Sequence, residues 1–131
     1  MVEHDVAARD AGIRLLDVWP GGARVGMTVA ERHLNGHGIV HGGYLFFLAD
    51  AAFAFACNSR GTSTVAAGGD VSFLRPARLG DELLAEASER ALAGRSGLYD
   101  VTVRIPGGEV VAEFRGRSRA VPYLSQPESG G

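Results

Sequence analysis

The segment HGGYLFFLADAAFAFACNS, His41 to Ser59, constrains this chain more than any other stretch: it is nearly continuous apolar sequence with one carboxylate, Asp50, in its middle. The run is too short to cross a bilayer and an acid interrupts its centre, so it fits a helix buried in a protein core. Ahead of it, HLNGHGIVHGG carries four glycines and predicts irregular backbone. The pattern then predicts a long helix from about Tyr44 to Asn58, stopped by Asn58 and Gly61. Tyr44, Leu45, Phe46, Phe47, Leu48, Phe53 and Phe55 leave this helix with no polar face.

The rest of the chain reads as strands. GIRLLDVWPGGARVGMTVAERH predicts a hairpin around Pro20-Gly21-Gly22. TVAAGGDVSFLRP, DELLAEASERAL, GLYDVTVRIP and EVVAEFRGRSRAV are strand-length and separated by Pro and Gly clusters. Tyr99, Val101, Val103 and Ile105 alternate with Asp100, Thr102 and Arg104, and Val110, Ala112 and Phe114 oppose Glu113, Arg115 and Arg117. DELLAEASERAL has helical propensities, but its place between two turns in a run of strands favours a strand. Residues 1–11 read as a loose start or a short helix, and 122–131 as a disordered tail. The expected fold is α+β, an antiparallel sheet of five or six strands wrapped around one long central helix, in a single domain of 131 residues. Such a sheet covers one side of an all-apolar helix, so a second subunit is expected on the other side.

Composition removes several function classes. A net charge of -2 and no basic block argue against nucleic acid as a partner. The absence of lysine excludes Schiff-base chemistry and a phosphate-loop lysine. The single cysteine, Cys57, forms no internal disulfide, and the first ten residues lack a signal pattern, so the expected location is the cytoplasm, with no membrane association.

A carboxylate in apolar surroundings loses hydration, and either a buried partner must hold it or its proton affinity rises. Asp50 is therefore either a register-fixing ion or a poised base or nucleophile. His41-Gly42-Gly43 stands where the helix begins, and unpaired first-turn amides at the positive end of the helix dipole suit a carbonyl oxygen that becomes negative during attack. Asp50 lies eight residues beyond Gly42, roughly 12 Å along a helix axis, too far for both to act on one carbon within one chain. Two such helices packed antiparallel across a two-fold axis would bring Asp50 of one copy to Gly42 of the other. His33, His37 and His41, spaced by four, suit a metal only on a helix, which Gly36 and Gly38 disfavour, so no metal is expected. Asn35 and His41 read instead as polar groups that hold a water or fix the loop, and His37 as a backbone hydrogen-bonding residue.

The segment Asn35-Gly36-His37-Gly38-Ile39-Val40-His41-Gly42-Gly43, followed by Asp50 in LADAAFAFACNSRG, resembles the hot-dog fold thioesterases, and within them the PaaI (phenylacetic acid degradation) group. The resemblance runs from about residue 12 to 120 and includes FLRPARLGD and GLYDVTVRI. It implies hydrolysis of an acyl-coenzyme A, such as phenylacetyl- or hydroxyphenylacetyl-coenzyme A, without metal or resident cofactor, coenzyme A being part of the substrate. It implies a homodimer with shared active sites that pairs into a homotetramer. By the same resemblance, the Gly42 amide polarises the carbonyl, Asp50 from the partner chain is base or nucleophile, and Asn35 and His41 assist. Some relatives place a hydroxyl where this chain has Ala66, which favours direct attack by Asp50 over a water-mediated route. Arg75, Arg95 with Ser96, and Arg117 are candidates for the coenzyme A phosphates, as arginine forks suit phosphate. Gly43, Tyr44, Phe46 and Phe47 are candidates for the substrate's acyl end. The alternatives are a hot-dog domain that binds acyl-coenzyme A without hydrolysing it, for which Asp50 has no use, and a hydratase, which would need a histidine that this chain lacks after Asp50.

Overall fold

The computed structural model describes residues 5–123. Helix α1, Val6–Asp10, comes first, its N-cap Asp5 accepting the Ala8 N–H at 2.9 Å. Strands β1 (Arg14–Trp19) and β2 (Gly22–Thr28) form the expected hairpin at Pro20-Gly21, and the long helix α2 spans Gly42–Cys57. Strands β3 (Thr64–Phe73), β4 (Glu82–Ala93), β5 (Ser96–Arg104) and β6 (Val110–Ala120) complete one six-stranded sheet in the order β1-β2-β4-β5-β6-β3, every neighbouring pair antiparallel. The α+β architecture read from the sequence is the observed one. The tail expected to be disordered, 122–131, lies outside the described residues beyond Tyr123.

Period-two alternation builds the sheet. On β5, Tyr99, Val101 and Val103 are buried against α2, and on β6 Ala112, Phe114, Gly116 and Ser118 do the same. β4 follows with Leu83, Ala85 and Ala87 inward. Helical propensity in DELLAEASERAL is overridden because β2 and β5 flank it and satisfy its backbone on both edges. Gly116 is required by packing: a Cβ there would lie 2.9 Å from both Phe53 and Phe114, so its absence lets the helix aromatic rest on the sheet. Phe53, Leu48, Met27, Val101 and Val103 form the centre of the core. Truncating a fully buried side chain such as Phe53 to alanine costs about 3–5 kcal/mol.

Helix α2 begins two residues before the expected Tyr44. His41 is its N-cap, the imidazole Nδ1 accepting the Gly43 N–H at 2.8 Å, so both glycines enter the first turn. At the other end the C-cap Asn58 donates to the Ala54 and Thr64 carbonyls and accepts the Thr64 N–H, tying the helix stop to the start of β3.

One side of α2 stays uncovered. Gly43 and Phe46 are exposed, and Phe47, Asp50 and Ala54 are half-buried, a stripe at helical spacing away from the sheet. Beside it β3 pairs only with β6, and its other edge has no partner among the described residues. Among the described residues no helix is long and apolar enough to cross a membrane.

Candidate active site

The loop before α2 is built by short-range hydrogen bonds. Asn35 Oδ1 accepts the His37 N–H at 2.9 Å and, at 3.4 Å, that of Ile39, while the Asn35 N–H donates to the Ile39 carbonyl. Leu34 and Val40 bridge antiparallel, and the His41 N–H donates to the His33 carbonyl at 2.8 Å. The chain thus closes a small loop whose last residue caps the helix. With the Gly43 N–H taken by His41, the Gly42 N–H is left without an acceptor among the described residues. It belongs to the first turn, at the positive end of a sixteen-residue helix dipole.

Gly42 lines a cavity of about 490 Å³ together with Asn35, Val40, Leu45, Phe73 and Arg75. The Asn35 side-chain amide nitrogen has no partner among the described residues and is available to a ligand there. Val40, Leu45 and Phe73 give this cavity an apolar lining beside the helix N-terminus, a setting in which a backbone N–H can stabilise a developing oxyanion.

Asp50 sits half-buried on the uncovered stripe and makes no hydrogen bond or ion pair among the described residues. Among the described residues no strand arginine pairs with it to make it a register-fixing ion. Burial raises its carboxyl above the ordinary range, and the like charge of Asp5 on the N-terminal segment raises it further. An acid that is unpaired and costly to ionise matches a base or nucleophile rather than a structural ion.

The remaining residues singled out from the sequence fall into three places. Arg75 shares the Gly42 cavity, held by Glu109 at 3.2 Å and by the Val110 carbonyl at 3.1 Å. Arg95 lies in the β4–β5 turn and Ser96 opens β5, both lining a separate cavity of about 190 Å³ near the far end of α2, with Cys57, Tyr99 and the buried Ser118. Arg117 pairs with Asp70 at 3.2 Å and packs over Gly68, outside both cavities. Tyr44 packs edge-on to His33, and Phe46 edge-on to Phe114 while remaining 38% exposed on the open stripe. Ala66 stands exposed on β3 at a register shift. Of the three spaced histidines, His33 spends both ring nitrogens on backbone groups, His41 caps α2, and His37 is exposed in the turn.

Sequence reasoning missed Phe73, Asp5 and Ser118. Phe73 is 54% exposed, and its ring lies so close to Gly42 that an added Cβ would be 2.9 Å from Cζ. Its only signal is an aromatic residue two positions before Arg75. Asp5 can be seen as a helix N-cap, but its approach to Asp50 depends on how α1 docks.

Comparison with known proteins agrees with this fold. Residues 37–112 match the thioesterase superfamily. The acyl-coenzyme A thioesterase PaaI of Escherichia coli is 44% identical over 121 residues, covering 92% of this chain and 86% of that protein. The solved structure of the E. coli PaaI protein from the phenylacetic acid degradation operon superposes with a TM-score of 0.90 over 92% of this chain and 88% of that one. A single-residue variant of the phenylacetic acid degradation protein PaaI from Thermus thermophilus is 37% identical, with a TM-score of 0.84 over 88% of this chain and 98% of that one. Sheet, helix and sequence agree: this chain belongs to the thioesterase superfamily and carries its hot-dog fold.

Proposed function

We propose that this thioesterase hydrolyses acyl-coenzyme A and that two copies build each active site. One observation carries the reading: the free Gly42 N–H and the unpaired Asp50 carboxyl belong to the same helix, eight residues and about 12 Å apart, and Asp50 lies on the stripe the sheet leaves uncovered. A second copy across a two-fold axis covers that stripe and the free edge of β3, and brings Asp50 of the partner subunit to Gly42. Two dimers then pair into a tetramer.

In this reading the thioester carbonyl oxygen accepts the Gly42 N–H, with Asn35 beside it. Asp50 of the partner subunit then attacks the carbonyl carbon, expelling coenzyme A thiolate and leaving an anhydride that water cleaves. In the other order of events it takes a proton from a water that attacks in its place. Both routes sum to acyl-coenzyme A plus water giving free acid plus coenzyme A, and neither calls on a metal or a resident cofactor. Ala66 offers no hydroxyl to orient a water, which favours direct attack. Of the three arginines considered for the phosphates, Arg95 has no carboxylate partner among the described residues and lies beside Ser96 and Ser118, whereas Arg75 and Arg117 are already paired. The E. coli and Thermus relatives are named for phenylacetic acid degradation, which supports an aromatic acyl group such as phenylacetyl, with hydroxyphenylacetyl the related candidate.

The test is thiol release across short, long and aromatic acyl-coenzyme A esters, with Asp50→Ala beside the unmodified protein. The expected result is release from phenylacetyl-coenzyme A that disappears in Asp50→Ala while ligand binding persists. Equal hydrolysis by the variant overturns the mechanism, and binding without hydrolysis by the unmodified protein makes this chain a binder.

A further inference from the structure

His33 is fully buried, with 0% exposure, and the proposed chemistry makes no use of it. Its imidazole joins two segments distant in sequence. Nδ1 accepts the Ala30 N–H at 2.9 Å, so this nitrogen carries no proton, and Nε2 therefore carries one and donates it to the Ala11 carbonyl at 2.7 Å. The ring also packs edge-on to Tyr44, 4.8 Å between centroids, in the first turn of α2. The backbone of the same residue finishes the connection, because the His33 carbonyl accepts the His41 N–H at 2.8 Å. His41 is the N-cap, and the next N–H along the chain is that of Gly42.

We propose that His33 is a positioning residue for the Gly42 amide: ring and carbonyl together clamp the base of the 33–41 loop and fix the direction in which that N–H points. This rests on the thioesterase reading and adds the residue that orients its carbonyl-binding half. An amide can be preorganised only if its peptide plane is held, and that plane is shared with His41, whose own N–H is anchored on His33. A buried, fully satisfied polar group allows one geometry, whereas an apolar side chain of similar size fills the space and leaves the Ala30 N–H and the Ala11 carbonyl unpaired, so the loop base shifts to find other partners. Glutamine retains one acceptor and one donor in a planar group and is the conservative replacement.

The experiment compares His33→Leu and His33→Gln with the unmodified full-length protein in thiol release per folded molecule, and in binding of two unreactive acyl-coenzyme A analogues. One analogue is a ketone, with a methylene in place of sulfur, and keeps the carbonyl; the other is a thioether without it. In His33→Leu we expect at least tenfold lower kcat/KM, and ketone binding weakened about tenfold while thioether binding is unchanged. His33→Gln is expected to recover most of both. A merely structural role would lower the melting temperature and leave the ketone-to-thioether ratio as it was, and that result overturns the inference. Should His33→Leu not fold, the nitrogen-15 spectrum of the imidazole in the unmodified protein decides: a proton on Nε2 alone supports the clamp, and a proton on Nδ1 refutes it. Absence of thiol release from the unmodified protein would refute the thioesterase reading instead, while the spectrum still reports on the clamp.

Discussion

Gly42→Ala separates the amide from the space around it. The substitution keeps the N–H and adds one methyl group, whose carbon would lie 2.9 Å from Phe73 Cζ, 3.1 Å from Cε2 and 3.4 Å from Cε1. Carbon atoms in favourable contact stand about 3.5–4.0 Å apart, so the ring must retreat by roughly 0.6 Å or more. The atoms that the methyl meets are the far end of the Phe73 side chain, which can turn aside at little cost. Alanine also has a helix propensity better than glycine by up to about 1 kcal/mol, which offsets part of the strain. The net change in stability should stay within about 1 kcal/mol, or a melting temperature within about 5 °C of the parent. Activity should respond very differently. The ring that the methyl meets lines the same cavity as Gly42, so the methyl stands where the substrate carbonyl must approach. Because the N–H remains, the loss comes from keeping the carbonyl away from it, and its ceiling is the roughly 10²–10³ in rate, about 2.7–4 kcal/mol, that removal of an oxyanion donor costs. Thiol release with a thermal melt on the same sample is the assay. A folded Gly42→Ala protein with parental kcat/KM would refute the placement of the carbonyl at Gly42.

Three further outcomes follow from the charges and the thiol. Asp50→Asn should lower turnover by roughly 10²–10⁴ and yet raise the melting temperature at neutral pH. Burial raises the folded-state pKa of this acid, so ionisation disfavours the fold, and Asp50's contribution makes stability fall as pH rises from the unfolded value through the folded one, a slope the amide should remove. The rate of the unmodified protein should fall on acidification at a pH above that expected for an ordinary carboxylate, and Asp5→Asn should move that limb to lower pH by removing a like charge, as read from a pH–kcat/KM profile. Burial pushes the Cys57 thiol up to about 12, so the native protein should resist thiol reagents at neutral pH and become reactive only on unfolding.

Much of the fold is legible because its signals are local. Tyr99, Val101 and Val103 alternate with polar neighbours, and that pattern alone places β5 with one face on the helix. The context of DELLAEASERAL outweighs its propensity because strands on both sides complete its hydrogen bonding. The helix start is displaced because capping by the His41 side chain is a matter of rotamer, which carries no compositional mark. Asp50 and Gly42 stand out in sequence since an acid in an apolar run and a glycine pair ahead of a helix are unusual there. Their surroundings do not. The Phe73 ring over Gly42 and the like charge of Asp5 near Asp50 are tertiary contacts across long stretches of chain, and no periodicity encodes them. Asn35 reads in sequence as a group that holds a water or fixes the loop; its oxygen is spent on the turn that shapes the loop, and its side-chain nitrogen has no partner among the described residues.

The central claim is that each active site takes Gly42 from one copy and Asp50 from the other. Complementation between two disabled variants, Gly42→Ala and Asp50→Asn, tests it most directly. Each alone should be nearly inactive. Unfolded together in equal amounts and refolded, about half of the dimers are mixed, and each mixed dimer has one site in which both halves are intact, so about a quarter of the parental activity should return. Mixed dimers that form, as seen by native mass spectrometry, and stay as inactive as their parents would contradict a shared site.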